Sequence, residues 1–204
     1  SRRRHPRFAT VSWARRCVEE TAIHNMTIVA PADNFEASEV IKQAVSYNQP
    51  LYIRYGKKPM MDIHPPGTKF KIGKSILVKK GEDLTIIATG ETLQRAYLAY
   101  EILKENNIHC SIISMHTIKP FDKDTFLEFS KNSKAILTIE EHSIFGGLGE
   151  CCANLIAQNN IDTNLKILGI PDEYMINGSQ SDVLDYYNMS PEKIVEISKD
   201  LLNK

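Results

Sequence analysis

The 204-residue chain has no excess of charge of either sign: 25 Lys and Arg stand against 25 Asp and Glu, for a formal net charge of +0. Without an overall field to draw it to polyanions, neither nucleic acid nor an anionic membrane is expected as a partner. No apolar run approaches the roughly 20 residues that a membrane helix needs. The arginine-rich start lacks the apolar core of a secretory signal, so a cytoplasmic location is expected. The four cysteines, Cys17, Cys110, Cys151 and Cys152, show no CxxC spacing. The last two are adjacent, a poor geometry for a mutual bridge or a metal clamp, and reduced, mostly buried thiols are expected. None of the six histidines has another at i+3 or i+4, and no P-loop, GxSxG elbow or fixed-period repeat is present. No metal ligands are therefore expected from this chain.

What the sequence does contain is alternation. Residues 1–16 carry arginines at 2, 3, 4, 7, 15 and 16 with no acid among them, and read as a disordered or non-native arm. Met26–Ala30 is a β-branched run closed by Pro31, with Asp33 as a helix N-cap candidate. Phe35, Val40, Ile41, Ala44 and Val45 then recur at helical spacing, and Leu51–Tyr55 is a second strand, making a βαβ unit with parallel strands. Gly56–Lys74 mixes Gly, Pro and Lys without a period and reads as a linker between two domains. Beyond it, strands at 75–78, 84–89, 108–115, 135–139 and 165–170 alternate with helices at 93–104, 122–130 and 147–158, and Ser190-Pro191 opens a terminal helix. The fold class predicted is α/β, an open, mostly parallel sheet with helices on both faces, which places a ligand at the carboxyl ends of its strands.

Two segments hold candidate chemistry. Glu140-Glu-His-Ser-Ile-Phe-Gly-Gly-Leu-Gly-Glu150 leaves a strand end, turns on glycine and opens a helix. Amides in that first turn lack intrahelical partners and can hold an anion, which makes Glu141, His142, Gly146, Gly147 and Gly149 a candidate anion or interface site. The same glycines also serve close helix-to-sheet packing, and both readings stand. His142 is either a proton-transfer group or a histidine bonded to a neighbouring carboxylate or a second subunit. The second segment, Tyr52-Ile-Arg-Tyr-Gly-Lys-Lys58, sets three cations at and past a strand end, where Arg and Lys hold phosphate groups through charge-assisted bonds; a solvated basic loop is the alternative. His116–Pro120 reads as a surface turn.

Five ordered segments carry a family resemblance: Asn25-Met-Thr-Ile-Val-Ala-Pro-Ala-Asp33, Pro50-Leu-Tyr-Ile-Arg-Tyr-Gly56, Ile86-Ile-Ala-Thr-Gly90, Met115-His-Thr-Ile-Lys-Pro-Phe-Asp122 and Glu140-Glu-His-Ser-Ile-Phe-Gly-Gly-Leu-Gly149. Together they resemble the C-terminal subunit of a split transketolase over about residues 17–202. 1-Deoxyxylulose-5-phosphate synthase and the beta chain of 2-oxoacid dehydrogenases share the layout.

The resemblance implies residues 17–68 as the tail of a pyrimidine-binding α/β domain and residues 69–204 as the transketolase C-terminal domain. It implies transfer of a two-carbon ketol unit between sugar phosphates, in the carbohydrate chemistry of the pentose phosphate pathway, with thiamine diphosphate and Mg2+. The cofactor is not expected to bind this chain alone, because the family's catalytic glutamate and aromatic pocket lie upstream of these residues. A partner is therefore implied, an N-terminal transketolase subunit or segment with the diphosphate-binding domain, in a homodimer or heterotetramer. Lys57 matches a basic residue that contacts substrate phosphate in relatives, with Arg54 beside it. Arg15 and Arg16 stand where the family has a histidine and glutamine, so that histidine's role is not carried over. A second class of function is a non-catalytic assembly or regulatory module that provides dimer contacts.

Overall fold

The structure is a computed structural model that describes residues 21, 23–56 and 60–203. The expected arm at 1–16, Cys17 and Lys57 lie outside the described residues. In chain order the elements are β1 (Thr27–Val29), α1 (Asn34–Ala44), β2 (Leu51–Ile53), β3 (Ile76–Lys79), β4 (Leu84–Ala88), α2 (Thr92–Glu105) and β5 (Cys110–Ser114). They continue with β6 (Thr117–Lys119), α3 (Lys123–Asn132), β7 (Ala135–Ser143), α4 (Leu148–Gln158), β8 (Asn164–Ile170), α5 (Gln180–Tyr186) and α6 (Pro191–Leu202).

The larger sheet has strand order β3-β5-β4-β7-β8, with β3 antiparallel to β5 and the other pairings parallel. This is the open, mostly parallel sheet expected. Alternating side chains divide its strands between two cores. Leu84 and Ile86 of β4 pack with Leu93, Ala96 and Leu103 of α2 and Ile194 of α6. Ile87, the next residue along β4, joins Phe126 of α3 and Leu148 and Cys152 of α4 on the opposite face.

The smaller sheet has order β2-β1-β6. β1 and β2 run parallel with Thr27 opposite Leu51, as the βαβ reading requires. Asp33 caps α1 by accepting the Glu36 amide at 2.9 Å. β6 joins antiparallel to β1, and here the expected surface turn is corrected: His116 is fully buried and Thr117–Lys119 is a strand. Three residues are too few to show an alternation, and their partner strand lies far back in the chain.

The expected linker is also corrected over its described part. Phe70 and Ile72 pack on Val29, Val40 and Ile76, while the Gln43 side chain bonds both the Phe70 carbonyl and the Ile72 amide. Single apolar residues among glycine, proline and lysine give no period, yet Phe70 and Ile72 both pack into the core under the smaller sheet. Asp122 secures the end of this strap, accepting from the Ser75 amide, the Ser75 and Thr125 hydroxyls and Lys74. Cys110 and Cys152 are buried and Cys151 half-buried, all as free thiols. Among the described residues no helix is long and apolar enough to cross a membrane.

Candidate functional site

Four strands deliver their carboxyl ends to one crevice. Ala30 follows β1, Arg54 follows β2, Gly90 follows β4 and Glu141 lies near the end of β7, all lining the same space. This is where the open-sheet rule puts a ligand. A wider cleft of about 400 Å³ adjoins it, with Glu91 and Gln180 on its wall beside Arg95 and Met60. Gly56 lets the Glu91 side chain lie against the rim: a Cβ there would fall on the Glu91 carboxylate, 2.8 Å from its Cγ, and Glu91 would have to shift.

β7 runs to Ser143, so the acidic pair and His142 sit on the strand itself, not in the loop beyond Ile139. Strand alternation then sends neighbouring side chains to opposite faces. Glu140 turns toward α4, where Oε2 accepts the Leu148 amide at 2.7 Å and Oε1 accepts the Gly149 amide at 2.8 Å. Gly146 donates its amide to Glu150. The Leu148 and Gly149 amides thus meet an anion supplied by the chain itself. An external anion at Gly146–Gly149 would have to displace Glu140. His142 lies beside this contact, its Nδ1 3.7 Å from Glu140 Oε2 and 2.7 Å from the Ser143 carbonyl.

Glu141 faces the other way, into the crevice. Its Oε2 is 3.7 Å from Arg54 Nη2, and Gln180 Nε2 of α5 donates to its two oxygens at 2.9 and 3.0 Å. The same Gln180 amide also reaches Glu91. The structure therefore separates Glu141 from His142, Gly146, Gly147 and Gly149 and brings it to Arg54, a pairing the sequence did not suggest. Burial raises the Glu141 carboxyl to about 7, opposed by Arg54 and reinforced by the Glu91 charge. Burial also raises Glu140 to about 7, opposed by the Gly149 and Leu148 amides.

A second cluster lies deeper, between the two sheets. His64 Nδ1 bonds Asp33 Oδ2 at 2.7 Å and its Nε2 stands 3.3 Å from Glu36 Oε1, which accepts from the Ser114 hydroxyl at 2.6 Å. Glu36 Oε2 takes the Ala32 amide. Burial raises Glu36 to about 7 against the pull of His64. His116 stacks on Phe70 at 4.2 Å, and burial drives its imidazole down to about 3.

Glu91, Gln180 and the Asp33–His64–Glu36 set were missed by sequence reading. Thr89-Gly-Glu91 at a strand end was one available signal, and Ser179 with Asp182, which form a capping box opening α5, was another. Tyr174 and Tyr186 are exposed, whereas Tyr187 is buried.

The thiamine diphosphate and Mg2+ implied by resemblance require a divalent-cation ligand set and a diphosphate cradle. Among the described residues no group of three His, Cys, Asp or Glu is placed to hold a metal. The amides that open α4 are taken by Glu140. These residues do not fit the cofactor's diphosphate end.

Fold and crevice together define an open α/β unit with a crevice lined by charged side chains at its strand ends. The chain belongs to the family described as transketolase, C-terminal domain, which it matches over residues 73–194. It is 39% identical over 177 residues to a Methanocaldococcus jannaschii protein named for the C-terminal section of a transketolase, covering 86% of this chain and 55% of that one. It is 33% identical over 180 residues to one of the subunits of an apulose-4-phosphate transketolase from Phocaeicola vulgatus, covering 88% of this chain and 57% of that one. A solved structure described as "Split gene transketolase, inactive beta4 tetramer" superposes with a TM-score of 0.85 at 26% identity, over 91% of this chain and 61% of that one. The chain thus spans a little over half the length of these relatives. The fold also matches a Campylobacter jejuni transketolase, with a TM-score of 0.70 at 15% identity over 91% of this chain and 28% of that one.

Proposed function

We propose that this chain is the C-terminal part of a transketolase-type transferase that moves a two-carbon ketol unit between sugar phosphates, as in pentose phosphate metabolism. The observation that carries this reading is a guanidinium, Arg54, set at the end of β2 in the strand-end crevice of a chain of this family. In the proposed enzyme, Arg54 and Lys57 contact the substrate phosphate, residues 17–68 are the tail of the pyrimidine-binding domain, and residues 69–204 form the C-terminal domain. Thiamine diphosphate, Mg2+ and the catalytic glutamate come from an N-terminal subunit or segment, in a cytoplasmic homodimer or heterotetramer. Arg54 suits the phosphate role because a planar guanidinium offers paired donors to a tetrahedral anion. His142, Gly146, Gly147 and Gly149 sit on the opposite face of β7 and serve the subunit interface.

The test is reconstitution. Mixed with an N-terminal transketolase subunit, thiamine diphosphate and Mg2+, the chain restores ketol transfer that neither chain performs alone. Lys57→Ala in that complex raises KM for phosphorylated substrates with kcat less affected. A second reading, a non-catalytic assembly module, is favoured by the relative described as an inactive tetramer. It predicts a stable oligomer of this chain and no activity in any mixture.

A further inference from the structure

Arg54 faces a carboxylate where the proposed function needs it to face a substrate. The Glu141 Oε2 to Arg54 Nη2 distance of 3.7 Å is longer than a closed charge-assisted bond of about 2.7–2.9 Å. The pair is placed side by side without being locked. Both side chains are largely withdrawn from water, Arg54 at 17% and Glu141 at 9% exposure. Attraction between them is therefore screened less than at an open surface. Glu141 is in turn steadied from α5 by two bonds from Gln180. A carboxylate held this way occupies the space in front of the guanidinium that a ligand's oxygens need.

We propose that Glu141 is an internal competitor for Arg54, which occupies the guanidinium until a tetrahedral dianion such as the phosphate group of a sugar phosphate displaces it. This rests on the phosphate role of Arg54 proposed above and adds to it a residue that sets affinity. Displacement has a proton consequence. The charged and titratable groups around Glu141 are Arg54 after β2, Glu91 and Arg95 at the start of α2, and Glu140 and His142 beside it on β7, with the neutral amide of Gln180 from α5. Once the dianion neutralises Arg54, the cation opposing burial is lost and the Glu91 charge remains, so Glu141 takes up a proton. Binding is then coupled to proton uptake and weakens as pH rises from about 6 to 8.

Inorganic sulfate is the probe, because it is a tetrahedral dianion that does not titrate in this range. Titration calorimetry of the 204-residue chain in buffers of different ionisation enthalpy reads affinity and proton uptake together. The parent takes up a proton on binding and loses affinity as pH rises. Glu141→Gln keeps an oxygen for Gln180, binds sulfate about three- to tenfold tighter at pH 8, releases or takes up no proton, and has a flat pH profile. The parent's own profile keeps the test decisive even if the variant fails to fold. A parent profile that is flat with no proton uptake overturns the proposal, as does Glu141→Gln binding no tighter than the parent. If Arg54→Ala still abolishes binding in that case, the phosphate role of Arg54 stands and only the competitor role of Glu141 fails. Sulfate binding that survives Arg54→Ala unchanged, or absent in both parent and Glu141→Gln, overturns both.

Discussion

Asp33 and His64 are joined by a 2.7 Å side-chain bond whose two members are essentially out of solvent. Asp33 also accepts the Ile63 and His64 amides, so one carboxylate at the start of α1 fixes the strap that leads to the larger sheet. Breaking a buried pair by deleting one partner leaves the other charge stranded, which costs about 3–5 kcal/mol. His64→Ala is expected to lower stability by that order in denaturant unfolding followed by circular dichroism.

The pH dependence of that loss follows from both partners. Burial pulls His64 down, but its bond to Asp33 and the charges of Glu36 and Asp33 raise it above 6.5 overall. Its contribution is complete below 6.5 and fades as pH climbs through the raised value. Burial pushes Asp33 up, but its bonds to His64 and the amides bring it from 3.8 to about 2. That contribution is present above 3.8 and fades as pH falls toward 2. The difference between parent and His64→Ala is therefore largest between roughly pH 4 and 6.5 and shrinks on either side. A difference that grows above pH 7 contradicts this.

Asp122 works in one direction only. Burial raises its carboxyl, and the Ser75 amide, Lys74 and the Thr125 and Ser75 hydroxyls together overcome this and hold it at about 2. Asp122→Ala strands several donors and is expected to cost about 2 kcal/mol at neutral pH. Acid titration of the parent loses this contribution as pH falls from 3.8 to about 2, while the variant shows none of it.

Gly147 lies directly over the Glu140 carboxylate. A Cβ there would stand 2.7 Å from Glu140 Cδ and 2.9 Å from His142 Nδ1. Gly147→Ala is expected to dislodge Glu140 from the first turn of α4 at a cost of about 2 kcal/mol or more. Because the two residues share one contact, the double variant Gly147→Ala/Glu140→Ala should cost less than the sum of the singles. Additive thermal shifts argue against the contact.

The described thiols should be inert in the folded chain. Burial pushes Cys110 up to about 12, Cys152 well above the ordinary thiol range and Cys151 in the same direction. Reaction with a thiol reagent at pH 8, mapped by mass spectrometry, is expected to be slow at all three and fast after denaturation. Prompt labelling of Cys110 or Cys152 in the native chain would refute this.

The larger sheet was legible because its strands are continuous apolar runs punctuated by glycine and asparagine, and the helices packed on it carry a clean period over ten or more residues, as Leu93, Ala96 and Leu103 do in α2. α5 was not, since Gln180–Tyr186 is short and only its Ser179 cap is written locally. The site was half legible. Arg54 at a strand end follows from position alone, but its meeting with Glu141 depends on how far β7 runs, and therefore on which face each carboxylate takes. One extra strand residue exchanges those faces. His64 is opaque for a different reason: its partner Asp33 sits about thirty residues back, and His64 itself lies in neither helix nor strand.

Between Ser114 and Lys123 the chain leaves the larger sheet, lays β6 along β1, and returns. Ala30 hands its amide to the His116 carbonyl, and Lys119 grips the Thr21 and Ile23 carbonyls from the same excursion. The two halves of the molecule are thus stitched, not merely abutted. Any chimera spliced near residue 69 inherits a foreign edge on β1, and a fragment trimmed to 73–194 carries away the thread that the first βαβ unit is sewn with.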